Sequence, residues 1–176
     1  VRRQRQMCIR DRNKYSTEEE ILNSDEIDAV LILTPHHNHS DLVIKALNKG
    51  KAVYVEKPLA LDIQSITDIE ESIYRSENPK LFIGFNRRFS KSAQFIKQKL
   101  INNPANSINL RFSVPPLDSD HWTNIKEIGG GRIVGEAVHG IDLACFLFDS
   151  LPQSISASAP VDKTNNMVKD NQVFLN

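Results

Sequence analysis

Two short polar clusters in this 176-residue chain directly follow apolar runs. Thr34-Pro35-His36-His37-Asn38-His39 comes after Ala29-Val30-Leu31-Ile32-Leu33, and Glu56-Lys57-Pro58 ends the run Ala52-Val53-Tyr54-Val55. If these runs are strands of an open α/β sheet, ligands gather in the crevice beyond their carboxyl ends, so the clusters should lie side by side in one site. The lysine is the stronger signal. An ammonium at the end of a buried strand, followed by a proline that fixes the chain direction, suits a reaction needing a cation or proton donor at a fixed point. The three histidines have no carboxylate at ligand spacing, so no metal is expected, and a solvated turn is the bland alternative.

The elements that must position these groups can be read from periodicity. Ser16-Thr17-Glu18-Glu19 has the form of a capping box opening a helix to Leu22. Asp28–Leu33 is a continuous apolar run, the pattern of a parallel strand buried on both faces. Leu42, Val43, Ala46 and Leu47 recur at helical spacing, and Gly50 stands where a helix C-cap belongs. Ala52–Glu56 is the next strand, Asp62–Glu77 a helix with Ile63, Ile66, Ile69 and Ile73 on one face, and Leu81–Phe85 a third strand. Strand, helix, strand, helix, strand is half of a doubly wound nucleotide-binding domain.

Beyond this the texture changes. Ser90 caps a helix to Leu100, Ser107–Val114 alternates as a half-wet strand does, and Pro115–Gly131 is irregular. Arg132–Phe148 reads as a helix with Val134, Val138, Ile141, Cys145 and Phe148 inward. Gln153–Ala159 reads as a strand, 162–166 as a turn, and the last residues as one more strand. The expected division is residues 13–88 as a partial Rossmann domain and 89–176 as an incomplete α+β domain for substrate binding or oligomerisation. The fold class is therefore α/β: the C-terminal half of a Rossmann-type doubly wound parallel sheet, followed by the start of an α+β domain.

Composition excludes some partners. With 22 basic and 22 acidic residues the formal net charge is zero, so neither nucleic acid nor an anionic membrane is favoured. Two cysteines cannot make a disulfide framework and fit a reducing, cytoplasmic setting. No apolar stretch approaches the ~20 residues of a membrane span. Residues 1–12, with five arginines, stand apart from the rest. They resemble a translated sequencing adapter and are read as a non-native or disordered segment, with a native tail or a basic arm as the other readings.

Together the motifs resemble the glucose-fructose oxidoreductase / inositol dehydrogenase / rhizopine-catabolism (Gfo/Idh/MocA) family. The matching residues are Thr34-Pro35 with its His/Asn cluster, Gly50-Lys51, Glu56-Lys57-Pro58, Gly84-Phe85-Asn86-Arg87-Arg88-Phe89, and Gly129-Gly130-Gly131-Arg132 leading to His139 and Asp142. Asp120-His121-Trp122 and Gly135-Glu136 are similar to a subgroup sometimes fused to a zinc-type alcohol-dehydrogenase-like domain. No Gly-x-Gly-x-x-Gly turn occurs in the sequence. The family carries that turn before the present first strand, so the expectation is an N-terminally truncated fragment with the nicotinamide end of the site but not the phosphate end.

The resemblance implies an oxidoreductase using NAD or NADP on a sugar, inositol or related polyol, working as a homo-oligomer at full length. It implies Lys57 and His139 as catalytic residues, and Thr34, Pro35, Asn38, Glu56, Lys57, Pro58, Asn86 and Arg87 as cofactor contacts. Lys57, Trp122, Glu136 and His139 are implied on the substrate side, and Arg88 as structural. Together with the change of direction after the strand it also implies a cis Lys57-Pro58 peptide. Many family members have an aspartate four residues before the histidine. Here that position is Gly135, which Glu136 replaces only in part. A non-catalytic nucleotide- or sugar-binding module and a domain of a larger fused dehydrogenase remain the alternatives. Residue by residue, a solvated polar stripe for Glu136, His139 and Asp142, a domain-junction role for Trp122 and a plain turn for Gly129–Gly131 also stand.

Overall fold

The structure is a computed structural model that describes residues 15, 17–105, 107–113, 115, 117–118, 120–161 and 173–176. Thr17 caps α1 (Glu18–Leu22) through a reciprocal box. The Glu20 amide donates to Thr17 Oγ1 at 3.2 Å, and the Thr17 amide donates to Glu20 Oε2 at 3.4 Å. Ser16 and Cys8 lie outside the described residues.

Strands β1 (Ala29–Ile32), β2 (Ala52–Val55) and β3 (Leu81–Ile83) pair in parallel in the order β1-β2-β3. Their crossovers are α2 (His39–Asn48) and α3 (Ile63–Arg75). Gly50, at φ +70°, follows α2 and reverses the chain, a conformation only glycine adopts freely. Asp62 caps α3, accepting from the Ser65 amide at 2.8 Å. The core is Ile32, Val53 and Val55 of the sheet against Val43, Ala46 and Leu47 of α2 and Ile69 of α3, with Leu22 of α1. Each of the Ile, Val and Leu side chains contributes about 1.5–3 kcal/mol on burial. This is the Rossmann-type parallel sheet that the periodicity predicts.

β1 is not buried on both faces as its apolar run suggests. Leu31 is 68% exposed and Phe82 on β3 47%, because α2 and α3 cover one face and leave the other open. Ile63, expected on the buried face of α3, is exposed at the first residue of the helix.

After β3 a 3₁₀ turn (Asn86–Phe89) leads into α4 (Lys91–Asn102), capped by Ser90, which accepts from the Ala93 amide at 3.2 Å. The expected strand at 107–114 does not form: residues 107–113 are irregular, and among the described residues no strand pairs with them. The segment read as wholly irregular holds a 3₁₀ turn (Trp122–Asn124) and the short α5 (Lys126–Gly129). Gly130, at φ +75°, caps α5, and a Cβ on Gly129 would lie 2.2 Å from the Thr123 backbone, so the glycines serve a tight turn.

The expected helix at 132–148 has two parts, a π-helical turn (Ile133–Ala137) and α6 (Val138–Phe148). Its buried stripe is Gly135, His139, Asp142 and Leu147, while Ile141 and Phe148 are exposed and Val134, Val138 and Cys145 are half-buried. The apolar stripe expected from sequence is thus not the inward one; Asp142 is drawn in by Arg88 of the turn after β3. β4 (Ala157–Ser158) and β5 (Phe174–Leu175) form an antiparallel pair, shorter than expected. The turn at 162–166 lies outside the described residues.

Candidate functional site

The two strand-end clusters meet through His39. It opens α2 on the same face as Val43, Ala46 and Leu47, and its side chain is wholly buried. Its Nδ1 lies 2.7 Å from the Pro58 carbonyl oxygen and its Nε2 2.9 Å from that of Thr34. The imidazole therefore spans the loops after β1 and β2 and fixes their separation. The Lys57–Pro58 peptide in the second of these loops is cis.

Lys57 reaches across to the π turn and donates to the Gly135 carbonyl at 2.5 Å. Its Nζ also lies 3.9 Å from Glu136 Oε1, and Arg87 Nη2 lies 4.0 Å from Glu136 Oε2. These are loose pairs, so the carboxylate is shared between two cations and saturated by neither. Arg87 is steadied from behind by the Phe112 ring, 4.7 Å from its guanidinium carbon. The neighbouring Arg88 turns the other way and grips Asp142 with two nitrogens, Nε at 3.1 Å and Nη2 closer still. The 3₁₀ turn after β3 thus sends one arginine into the crevice and one to anchor α6.

Two histidines border this cluster. His139 is buried, and among the described residues its Nδ1 has no hydrogen-bond partner. Burial, then the charges of Lys57 and Arg87, push its pKa below the ordinary value near 6.5, and Glu136 and Glu56 oppose this only in part. His36, also buried, sets its Nδ1 2.8 Å from the Gly129 carbonyl. A carbonyl only accepts, so the neutral ring carries its proton on Nδ1 and keeps a lone pair on Nε2. Its pKa too is lowered, chiefly by burial.

The expected site residues fall into three groups. Lys57, Glu136, His139 and Arg87 converge. Thr34, Pro35 and Asn86 are exposed at the strand ends and Asn38 half-buried there, open to a ligand. Glu56 and Pro58 are occupied structurally: Glu56 accepts from Tyr54 Oη at 2.9 Å, and Pro58 is buried under His39. Trp122 packs edge-on against His36, ring centroids 4.7 Å apart, which ties the 122–130 segment to the β1 loop. His36 and His39 are not the solvated turn that the sequence leaves open, since both are buried. For His39 the signal was its spacing to Val43 and Leu47 on a buried helix face; for His36 there was none, since its partner is 93 residues away.

A cleft of about 620 Å³ opens at the other end of the strands, by Asp28, Lys51, Arg75 and Lys80. There Lys51 is committed to the Ser24 and Ile27 carbonyls, at 2.7 Å each, and Arg75 to Glu71. In a parallel sheet the carboxyl ends are the binding end, which makes the Lys57 end the candidate site. Among the described residues no cluster of His, Cys, Asp or Glu could hold a metal, and no helix is long and apolar enough to cross a membrane.

The family model described as "Oxidoreductase family, NAD-binding Rossmann fold" matches residues 3–85. Inositol 2-dehydrogenase of Rhizobium meliloti is 31% identical over 142 residues, which are 77% of this chain and 41% of that protein. 4-Carboxy-2-hydroxymuconate-6-semialdehyde dehydrogenase of Sphingobium sp. is 38% identical over 168 residues, 89% of this chain and 50% of that one. The crystal structure of myo-inositol 2-dehydrogenase from Lactobacillus plantarum superposes with a TM-score of 0.67 at 25% identity, covering 82% of this chain and 44% of that one. The chain spans half or less of the length of these relatives.

Proposed function

From the premise that the chain belongs to the Gfo/Idh/MocA oxidoreductase family, we propose that it carries the catalytic crevice of an NAD-dependent oxidoreductase acting on the secondary alcohol of a sugar, inositol or related polyol. The observation that supports this most is the convergence of Lys57 with the helix of His139: the ammonium docks on the Gly135 carbonyl, four residues before His139, and its charge helps keep that imidazole neutral.

The residues present suit the nicotinamide end of a dinucleotide. Thr34, Pro35 and Asn86 are exposed and Asn38 half-exposed at the strand ends, Arg87 is held at the crevice wall, and His139 Nδ1 is a buried polar atom that lacks a partner among the described residues. When bound, the nicotinamide supplies the hydride acceptor or donor. The chain's own part is orientation and proton handling. Lys57 Nζ donates to the substrate oxygen and holds it, exchanging the Gly135 carbonyl for that oxygen. His139, neutral at working pH, takes the hydroxyl proton at the imidazole. Glu136 balances the charge of Lys57 and Arg87, so that the crevice is not left with two bare cations. General acid–base help of this kind is worth ~10²–10⁴ in rate.

The test is NAD reduction by the full-length protein with myo-inositol and a panel of sugars, followed by nicotinamide absorbance. Turnover with at least one polyol supports the reading. Tight cofactor or sugar binding with no turnover on any of them favours a non-catalytic binding module.

A further inference from the structure

Glu56 and Lys57 carry opposite charges on consecutive residues, yet among the described residues no ion pair joins them. The Lys57 ammonium donates to the Gly135 carbonyl and has Glu136 as its carboxylate neighbour. Glu56 is engaged elsewhere: its Oε1 accepts from Tyr54 Oη at 2.9 Å, and its Oε2 from the Lys57 backbone amide at 3.3 Å. Three features hold the Tyr54 hydroxyl to this contact. Tyr54 and Glu56 are two residues apart along an extended chain, so both side chains leave the same face of the sheet. The Tyr54 ring lies nearly parallel to that of Phe82, its register partner on β3, with centroids 5.6 Å and planes 15° apart, which fixes the direction of Oη. Gly84 supplies the room, since a Cβ there would stand 2.7 Å from Oη and 3.1 Å from Glu56 Cδ and Oε1. The bond to the carboxylate pushes the Tyr54 phenol above its ordinary pKa near 10.

We propose that Tyr54 is a positioning residue of this site: its hydroxyl holds the Glu56 carboxylate off the Lys57 ammonium and so leaves that ammonium free for the substrate oxygen. The inference rests on the reading of Lys57 as the donor to that oxygen. It deepens that reading, because a lysine paired tightly with its own neighbour in the chain would have to break that pair in every turnover. The Tyr54 bond is charge-assisted and therefore strong enough to compete for the carboxylate. Glu56 stays close to the crevice, since its charge bears on His139. Released from Tyr54, it would find the Lys57 ammonium one residue away. Glu136, loosely placed at 3.9 Å, is then the only counter-charge within ion-pair reach of Lys57 among the described residues, and it is one that a substrate oxygen can outbid.

The test uses the full-length protein with NAD and the member of the myo-inositol and sugar panel turned over fastest, comparing the parent, Tyr54→Phe, Glu56→Gln and the double variant. Phenylalanine keeps the stacking on Phe82 and removes only the hydroxyl. Tyr54→Phe should lower kcat by roughly five-fold or more, the scale of one hydrogen bond, while NAD affinity holds. With Glu56→Gln already in place, the same substitution should change kcat by less than about two-fold, because no carboxylate is left to capture Lys57. Alkaline absorbance titration supplies a second readout. The phenol signal that Tyr54→Phe removes should ionise above the ordinary value near 10 in the parent and move back toward it in Glu56→Gln. Equal losses of kcat from Tyr54→Phe in both backgrounds overturn the proposal, as they would report ring packing alone. So does a Tyr54→Phe variant within about two-fold of the parent, or a phenol that does not respond to Glu56→Gln. A parent that turns over no member of the panel, or a Lys57→Ala variant with unchanged kcat, defeats the underlying reading of the site, and the assignment of Tyr54 falls with it.

Discussion

His39 and Pro58, nineteen residues apart, are joined by a buried contact of 2.7 Å between the imidazole Nδ1 and the proline carbonyl. On its other side the same ring meets the Thr34 carbonyl at 2.9 Å. The distance between the two strand-end loops, and with it the place of Lys57, is set by one wholly buried side chain. His39→Ala removes these contacts and leaves a cavity, and should lower stability by about 3 kcal/mol. His39→Leu restores most of the volume and should recover about 1 kcal/mol of that. Urea denaturation of both variants checks it; equal midpoints for the two would show that volume does not matter there, and a Leu variant equal to the parent would show that the polar contacts do not.

Much of this was legible in sequence, and the remainder fails for physical reasons. The three strands, their order and the meeting of both polar clusters follow from apolar runs and crossover rules, because those depend on residues close in the chain. The burial of β1 is not legible there: a continuous apolar run reports what a strand can tolerate, whereas the exposure of Leu31 depends on which faces the helices cover. On α6 Asp142 is inward, against its polarity, because Arg88, fifty-four residues before it, neutralises the carboxylate. Lys57, Glu136 and His139 could be named from motif position. Their common location depends on a carbonyl at Gly135, seventy-eight residues from Lys57, which no local pattern carries.

Arg88 and Asp142 form an anchoring pair in which the carboxylate is 6% exposed and the guanidinium 36%. Arg88→Ala strands a buried charge and should cost on the order of 2–3 kcal/mol, below the full cost of a wholly buried pair because the arginine is partly wet. Replacing both, Arg88→Met with Asp142→Leu, should recover most of that loss. The exposed pair Arg75–Glu71 provides the contrast, and Arg75→Ala there should cost ~0.5 kcal/mol or less.

Both His36 and His139 have folded-state pKa values below the ordinary 6.5. The unfolded chain therefore binds protons at a higher pH than the native one. Stability from these groups is complete above about 6.5 and declines as pH falls from there toward their folded-state values. Denaturant midpoints measured either side of pH ~6.5 should show this acid loss, and a His36→Phe, His139→Phe variant should lose less on acidification.

The Glu136 carboxylate favours the protonated form of His139. Glu136→Gln should lower that pKa further and move the acid limb of the kcat/KM profile to lower pH. A limb that moves to higher pH, or not at all, would place Glu136 outside the electrostatic reach of the base.

The most direct measurement is a double-mutant cycle on Lys57 and His139 in the full-length protein, with NAD and the best polyol substrate. Lys57→Ala and His139→Ala should each lower kcat by roughly 10²-fold or more with NAD affinity little changed, and the double variant should lose less than the product, because both groups act on one oxygen. A single variant within a few-fold of the parent, or losses that multiply in full, would contradict the account.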